Sequence, residues 1–325
     1  MPRCCTVTTG ARLHFGPLAW RPMTGRDFGG WGVIVEAPRT VVEVWRGDQP
    51  DAGDFSPDFD GQQRAEAGLR EYLHGVSQQE AVKPLSVRVR ETLPTHRGLG
   101  AGTQLALAVA RAAAELLREK VTTETLALRL HRGQRSAVGI YGFDQGGLIV
   151  DAGKTDRGPV GQLAARAEFP PGWRWMLVWP ERSTGLAGDQ ELAAFQTLAP
   201  FPDQLSGRLA RIVLTEILPA VESRDFGSFA AALDEYGEFV GRAFEPMQGG
   251  VVHAASRPIW SALRSLGVRG IAQTSWGPTL ALACESATSA ESLRSKLLAP
   301  GHDWPPITAI ITPARNRGAE VVCLG

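Results

Sequence analysis

The run PTHRGLGAGTQ over residues 94–104 joins a strand-like segment to a long helix-like one. Gly98, Gly100 and Gly102 permit backbone angles and close approaches that side chains forbid. The N–H groups that open the following helix have no intrahelical partner, and with the helix dipole they favour a phosphate or another anion. That places a candidate anion cradle on Arg97, Gly98, Leu99 and Gly100 of the loop, and on Ala101, Gly102, Thr103 and Gln104 at the helix entry. The loop lacks the GKS/T ending of a Walker loop, and no ribose-binding acid follows on a next strand. A Gly-rich turn of this kind also serves packing alone, so its chemistry must come from its surroundings.

Two further segments carry polar groups beside glycines. GIAQTSWGPT over residues 270–279 ends a strand with Gln273, Thr274 and Ser275, and Gly277 with Pro278 then forces a tight turn. Trp276 can stack on a ligand ring or plug a domain interface; taken alone, packing is the commoner use of a large aromatic. RLHFGPLAWRPMTGRDFGGWG over residues 12–32 brings Arg12, His14, Arg26 and Asp27 close to exposed backbone, as a ligand wall requires.

The elements that position these segments read as α+β in two domains. Strands are expected at 4–9, 31–36, 40–45 and 85–91, the last as the alternating run SVRVRE. A polar loop is expected over 47–59 and a short amphipathic helix over 62–74. The Gly-rich turn leads into a helix over 103–120, then a second from 123 to 131 capped by Thr122 or Thr123. After a strand in GGLIVDAG come strands at 164–169 and 173–179, with the domain boundary between 158 and 173, drawn as 1–165 and 166–325. The second half carries helices near 189–197, 204–218 and 226–242. It ends in strands at 268–274 and 279–284, a helix at 287–298 and a last strand at 307–312.

Bulk properties narrow the partners. Lys plus Arg (34) balances Asp plus Glu (34) over 325 residues, so no long-range field draws nucleic acid or an anionic membrane. Cys4, Cys5, Cys284 and Cys323 show neither CxxC spacing nor a disulfide framework, and adjacent Cys4 and Cys5 on a strand point to opposite faces. No apolar run has signal-peptide or bilayer-spanning length. These features point to a reducing cytoplasm, with a homodimer as the default assembly.

Together the three segments resemble a known family. PTHRGLGAGTQLALAVA resembles the second signature of the GHMP kinase superfamily, a Gly-Leu-Gly phosphate loop, with Ala101 standing where a loop serine is usual. AQTSWGPT is similar to the third signature, in the form found in β-ribofuranosylaminobenzene 5′-phosphate synthases, with Thr274 for a serine. RLHFG…GRDFGGWG resembles the start of those synthases. The resemblance runs from residue 12 to about 280. It implies a GHMP-kinase-like fold: a β-rich α+β N-terminal domain with the phosphate loop, and a ferredoxin-like α+β C-terminal domain.

The resemblance also implies an activity: condensation of 5-phosphoribosyl pyrophosphate with 4-aminobenzoate or 4-hydroxybenzoate, with loss of CO2 and pyrophosphate, in tetrahydromethanopterin biosynthesis. Such an enzyme needs Mg2+ and no ATP. The leaving pyrophosphate would sit in the 98–104 cradle, with Arg97 and Arg135 as phosphate partners. Arg12 or Arg26 would hold the aromatic carboxylate, Trp276 or Phe15 the ring, and His14 would move a proton. Asp151 is either a Mg2+ ligand or a turn residue. The alternatives are an ATP-dependent small-molecule kinase of the superfamily and a ligand-binding regulator. Against the kinase, superfamily members that use a catalytic Asp often carry it seven residues before a Gly-Gly pair, and here that position, before Gly146–Gly147, is Gly139.

Overall fold

The computed structural model describes residues 2–47, 59–76, 84–155, 158–185 and 188–325, so the loop expected over 47–59 lies, but for its ends, outside them. One sheet is built from β1 (Cys4–His14), β2 (Gly30–Arg46), β3 (Leu85–Glu91), β4 (Leu148–Asp151), β5 (Leu163–Ala167) and β10 (Glu320–Leu324). A second holds β6 (Arg174–Pro180), β7 (Ile271–Gln273), β8 (Leu280–Cys284) and β9 (Ile307–Thr312). The helices are α1 (Phe59–His74), α2 (Ala101–Leu117), α3 (Thr123–Arg129), α4 (Val138–Gln145), α5 (Gly188–Thr197), α6 (Asp203–Ile212), α7 (Leu218–Ser223), α8 (Phe226–Gln248), α9 (Arg257–Ser265) and α10 (Ala287–Leu298).

The first sheet runs β10-β1-β2-β4-β5 with β3 paired to β2, antiparallel throughout. β2 was expected as two strands, over 31–36 and 40–45, on either side of Pro38. The chain instead stays extended through it, and the pairing with β1 absorbs the irregularity as a register shift at Gly10/Ala11. α2 is apolar on nearly every side and is sandwiched between the sheet and α1, with Val42, Val44, Val87 and Val89 on one side and Leu69 and Tyr72 on the other. The second sheet has the order β7-β8-β6-β9, the β-α-β-β-α-β plan of a ferredoxin-like domain. The two sheets share one core. Phe15 and Trp31 from the first meet Trp175 of β6, Phe229 and Tyr236 of α8 and Phe169 of the crossover.

Three elements are absent from the sequence reading. α4 forms despite two glycines because Val138, Ile140 and Phe143 bury one face. α9, an amphipathic helix that begins Arg-Pro, was not expected. Neither was β10, whose residues are all exposed and carry no burial pattern. β10 returns to the first sheet and sets Cys323 opposite Cys5, and the two are joined as a disulfide, contrary to the expectation of no cross-link. Cys4 points to the other face and stays free, as strand alternation requires. No helix among the described residues is long and apolar enough to cross a membrane.

β7 is only three residues long, so its position depends on what holds it. Asp234 of α8, buried, accepts from Ile271 N at 2.8 Å and pairs with Arg264 of α9 at 2.8 Å. Replacing one partner of such a pair leaves the other charge and a backbone N–H without compensation. Asp234→Ala should therefore cost about 3 kcal/mol, seen as a lower urea midpoint with unchanged m, whereas Arg269→Ala, on the exposed flank of the pair, should cost under about 1 kcal/mol.

Candidate functional site

The Gly-rich loop turns from β3 into α2 through Gly98 (φ +73°) and Gly100 (φ +76°), both left-handed. Gly100 N-caps α2 without a side-chain bond. Among the described residues, the N–H groups of Ala101 and Gly102 donate to no backbone carbonyl, while Thr103 and Gln104 N–H close on Gly100 O. The open amides face a cavity of about 360 Å³. Its wall carries Arg12, Arg64, Arg97, Arg132 and Arg135 and, among the described residues, no carboxylate. A chain of zero net charge thus concentrates cations at one concave place, beside a helix N-terminus.

Three segments far apart in sequence meet at the Thr274 hydroxyl. It accepts from His14 N at 3.0 Å and donates to Gly98 O at 2.8 Å. Ser275 N donates to His14 O, and Arg12 N to Leu99 O. The fit at Gly98 is close: a Cβ there would lie 2.3 Å from Thr274 O. Arg12 is held alongside, its Cβ 3.2 Å from where a Cβ on Gly100 would stand. His14 is buried. Burial first, and then the Arg12 charge, hold its imidazole well below the usual histidine range, so it is neutral at pH 7.

The expected site residues divide into two groups. Arg12, His14, Arg97, Gly98, Leu99, Gly100, Ala101, Gly102, Thr103, Arg135, Ser275 and Trp276 all reach the cavity wall. Arg97 is also committed elsewhere: it donates to Pro180 O, Ser183 Oγ and Glu181 O, pinning the loop to the end of β6. Gln104 is fully buried between Thr9 Oγ1 and Gly139 O, where it ties α4 to β1. Gln273 braces its own turn through His253 N, Gln248 and Ser275 O, and Thr274 acts through its bridge. Gly277 shapes the same turn.

Three expectations are corrected. Asp151 does not face the cavity: it is buried, accepting from Ala137 N at 2.6 Å and Gly153 N at 2.8 Å. Burial raises its pKa, and those bonds together with the Arg12 and Arg26 charges oppose the rise. It is the turn residue, not a metal ligand. Arg26 donates to Gly153 O and Gln162 Oε1 and lies off the wall. Phe15 is core, packed on Trp31 and Trp175. Among the described residues no three or more His, Cys, Asp or Glu are grouped so as to hold a metal, and no carboxylate lines the cavity.

The sequence reading missed Arg64 and Arg132, and the aromatic end of the cavity formed by Phe28, Phe195 and Phe244 beside Trp276. Trp276 is almost fully buried, 4.6 Å from Phe244 and 5.2 Å from Phe195 between ring centroids, so it is mainly the interface plug. Arg135 lies over Phe195 at 5.6 Å, at the junction of aromatic and cationic walls. Nothing local in the sequence marks Phe195 or Phe244 as wall residues, because they arrive from helices of the other domain.

Comparison with known proteins gives this fold and site a lineage. The GHMP kinases N terminal domain matches residues 65–148, and the GHMP kinases C terminal domain matches residues 217–303. The chain belongs to the GHMP kinase superfamily and carries both of its halves. It is similar over nearly its whole length to the β-ribofuranosylphenol 5′-phosphate synthase of Methanothermobacter thermautotrophicus, 29% identical over 97% of this chain and 98% of that one. The protein of the same name from Archaeoglobus fulgidus is also 29% identical over the same shares. Among solved structures, mevalonate pyrophosphate decarboxylase from Streptococcus pyogenes superposes with TM-score 0.65 at 14% identity, covering 97% of this chain and 98% of that one. Homoserine kinase from Cytophaga hutchinsonii superposes with TM-score 0.61 at 14% identity, covering 99% and 98%; both show the fold alone.

If Thr274 is the joint of the site, removing its hydroxyl should be costly and keeping it should not. Thr274→Val leaves a buried N–H and carbonyl unmatched and should lower stability by about 2 kcal/mol, with loss of anion binding by calorimetry. Thr274→Ser should keep both properties near wild type.

Proposed function

We propose that this chain is a decarboxylating phosphoribosyl-transferring synthase. It joins 5-phosphoribosyl pyrophosphate to 4-hydroxybenzoate or 4-aminobenzoate at the ring carbon that bears the carboxylate, releasing pyrophosphate and CO2. The relatives' name specifies a ribosylated phenol, which makes 4-hydroxybenzoate the first acceptor to test. Its place would be cytoplasmic tetrahydromethanopterin synthesis.

The observation that carries this reading is Gly139, buried just behind the cavity wall. A Cβ at that position would lie 3.5 Å from Thr103 Cγ2 and 3.6 Å from Arg12 Nε, both of them wall residues. An acid side chain there would reach toward the phosphate loop, where a kinase can use it to orient or deprotonate an attacking hydroxyl. Here the position is bare, and the nearest charge is a guanidinium.

The chemistry asks for what this wall has. As the anomeric C–O bond breaks, positive charge grows on the sugar and negative charge on the departing pyrophosphate. The amides of Ala101 and Gly102 and the Arg12 guanidinium supply fixed donors to the leaving group. The ring carbon then forms the C–C bond, and loss of CO2 returns the bonding pair to the ring. The aromatic end of the cavity, from Phe28 to Phe244, shields the acceptor from water, and neutral His14 adds no competing charge. Arg135, on the wall beside Phe195, would meet the acceptor carboxylate. A divalent ion would enter on the diphosphate, since among the described residues the wall offers it no carboxylate.

Carboxyl-labelled 4-hydroxybenzoate should release labelled CO2 only when the ribosyl donor is present, and without ATP. Gly139→Ala should retain activity, because a methyl group meets only ordinary contacts there. Gly139→Asp should lower it by about two orders of magnitude by setting a carboxylate against Arg12. No CO2 from wild-type protein, with ATP consumed on a hydroxylated acceptor, would give the site to a kinase.

A further inference from the structure

Arg132 stands between α3 and α4, and no sequence motif points to it. Its Nη1 lies 3.5 Å from the place a Cβ on Gly102 would occupy, so the guanidinium hangs over the first turn of α2. Its Nε is buried with no hydrogen-bond partner in the protein. Arg64 reaches the same cavity wall from α1, where its other contact is Asp60 at 2.9 Å, one turn back on the helix and largely exposed. Burial lowers the Arg132 pKa; the Glu71 charge opposes that and the Arg64 charge adds to it. Glu71 lies 3.7 Å from exposed His131, outside the cavity lining.

Arg132 and Arg64 share one wall that no carboxylate lines among the described residues, and their charges repel each other across it. An anion seated between the two guanidiniums relieves that repulsion. The reacting end of the cavity is where Arg12, His14 and Ser275 meet the loop at Gly100. Arg132 lies instead beside Gly102, and Arg64 lines the same cavity. A ribosyl donor with anions at both ends can set its non-reacting phosphate there, away from Arg12. We propose that Arg132, with Arg64 in support, forms a second anion subsite that takes the 5-phosphate of the ribosyl donor, separate from the loop-and-Arg12 cradle that takes the pyrophosphate. The assignment of the sugar phosphate rests on the synthase reading, whereas the subsite itself rests on the wall geometry. Binding energy from that remote phosphate would hold the anomeric carbon in place for the chemical step.

The test is calorimetric titration of ribose 5-phosphate and of inorganic pyrophosphate, as separate probes, into wild type, Arg132→Gln, Arg132→Lys and Arg64→Gln. Thermal melts check that each variant is folded. Arg132→Gln should weaken ribose 5-phosphate by about tenfold or more, from loss of charge-assisted bonds, and pyrophosphate by less than about twofold. Arg132→Lys should recover part of the loss, and Arg64→Gln should show a smaller loss of the same selectivity. In turnover, KM for the ribosyl donor should rise with little change in KM for the aromatic acid. Equal weakening of both probes, selective weakening of pyrophosphate, or no effect on either would overturn the assignment, as would wild-type protein that does not bind ribose 5-phosphate. Selective, Arg132-dependent binding of ribose 5-phosphate by a protein that releases no CO2 would uphold the subsite and sink the synthase.

Discussion

The Thr274 hydroxyl is the bond on which the site depends. It accepts from the backbone of β1 and donates to the backbone of the phosphate loop, while its own residue directly follows β7 of the other sheet. None of the three segments is continuous with another. Without this bridge the loop, the Arg12–His14 strand end and the Ser275–Trp276 turn would be held only by less directional packing. Buried and saturated on both sides, the hydroxyl converts the meeting of two domains into a fixed geometry. Around it the support is layered: Asp234 holds β7 and hence Thr274, Arg97 holds the loop against β6, and Gln104 holds α4 against α2. Of the charged and polar groups that the sequence offers as ligands, Arg26, Gln104, Asp151, Gln273 and Thr274 are thus spent on building the cavity, and Arg12, His14, Arg97, Thr103, Arg135 and Ser275 line its wall.

That division explains what could be read in advance. The strands at Leu85–Glu91 and Ile307–Thr312 and the helix at Ala287–Leu298 keep the bounds their periodicity and caps predict, because each packs one face on its own sheet. The phosphate loop and its partner turn were legible because glycine and proline are forced there by backbone angles. β10 was not, because it is an exposed edge strand recognised only by pairing with β1. Arg26 and Asp151 looked like ligands because charged groups beside glycines often are. Their actual partners, Gln162 and the N–H groups of Ala137 and Gly153, are set by a crossing of chain that sequence does not display. Arg132 and Phe244 were invisible for the same reason: a wall assembled from five or six separate elements has no linear signature.

Under the proposed function, the same wall is what distinguishes this chain from the kinases whose fold it shares. Phosphoryl transfer to a hydroxyl needs an accepting or positioning group near the nucleophile. Departure of pyrophosphate from an anomeric carbon needs donors around the leaving group and no base against the sugar. Gly139 next to Arg12, an α2 whose cap carries no side-chain bond and a lining without carboxylates among the described residues meet the second demand. The fold sets the loop and the helix dipole for both reactions, and the difference lies in a few side chains around them.

The most direct test is a 31P NMR time course of the protein with 5-phosphoribosyl pyrophosphate, 4-hydroxybenzoate and ATP in one tube, with divalent ion present. The account predicts loss of the donor's diphosphate signals, matching growth of inorganic pyrophosphate and a ribosyl phosphate, and unchanged ATP. Conversion of ATP to ADP with the ribosyl donor intact would contradict it.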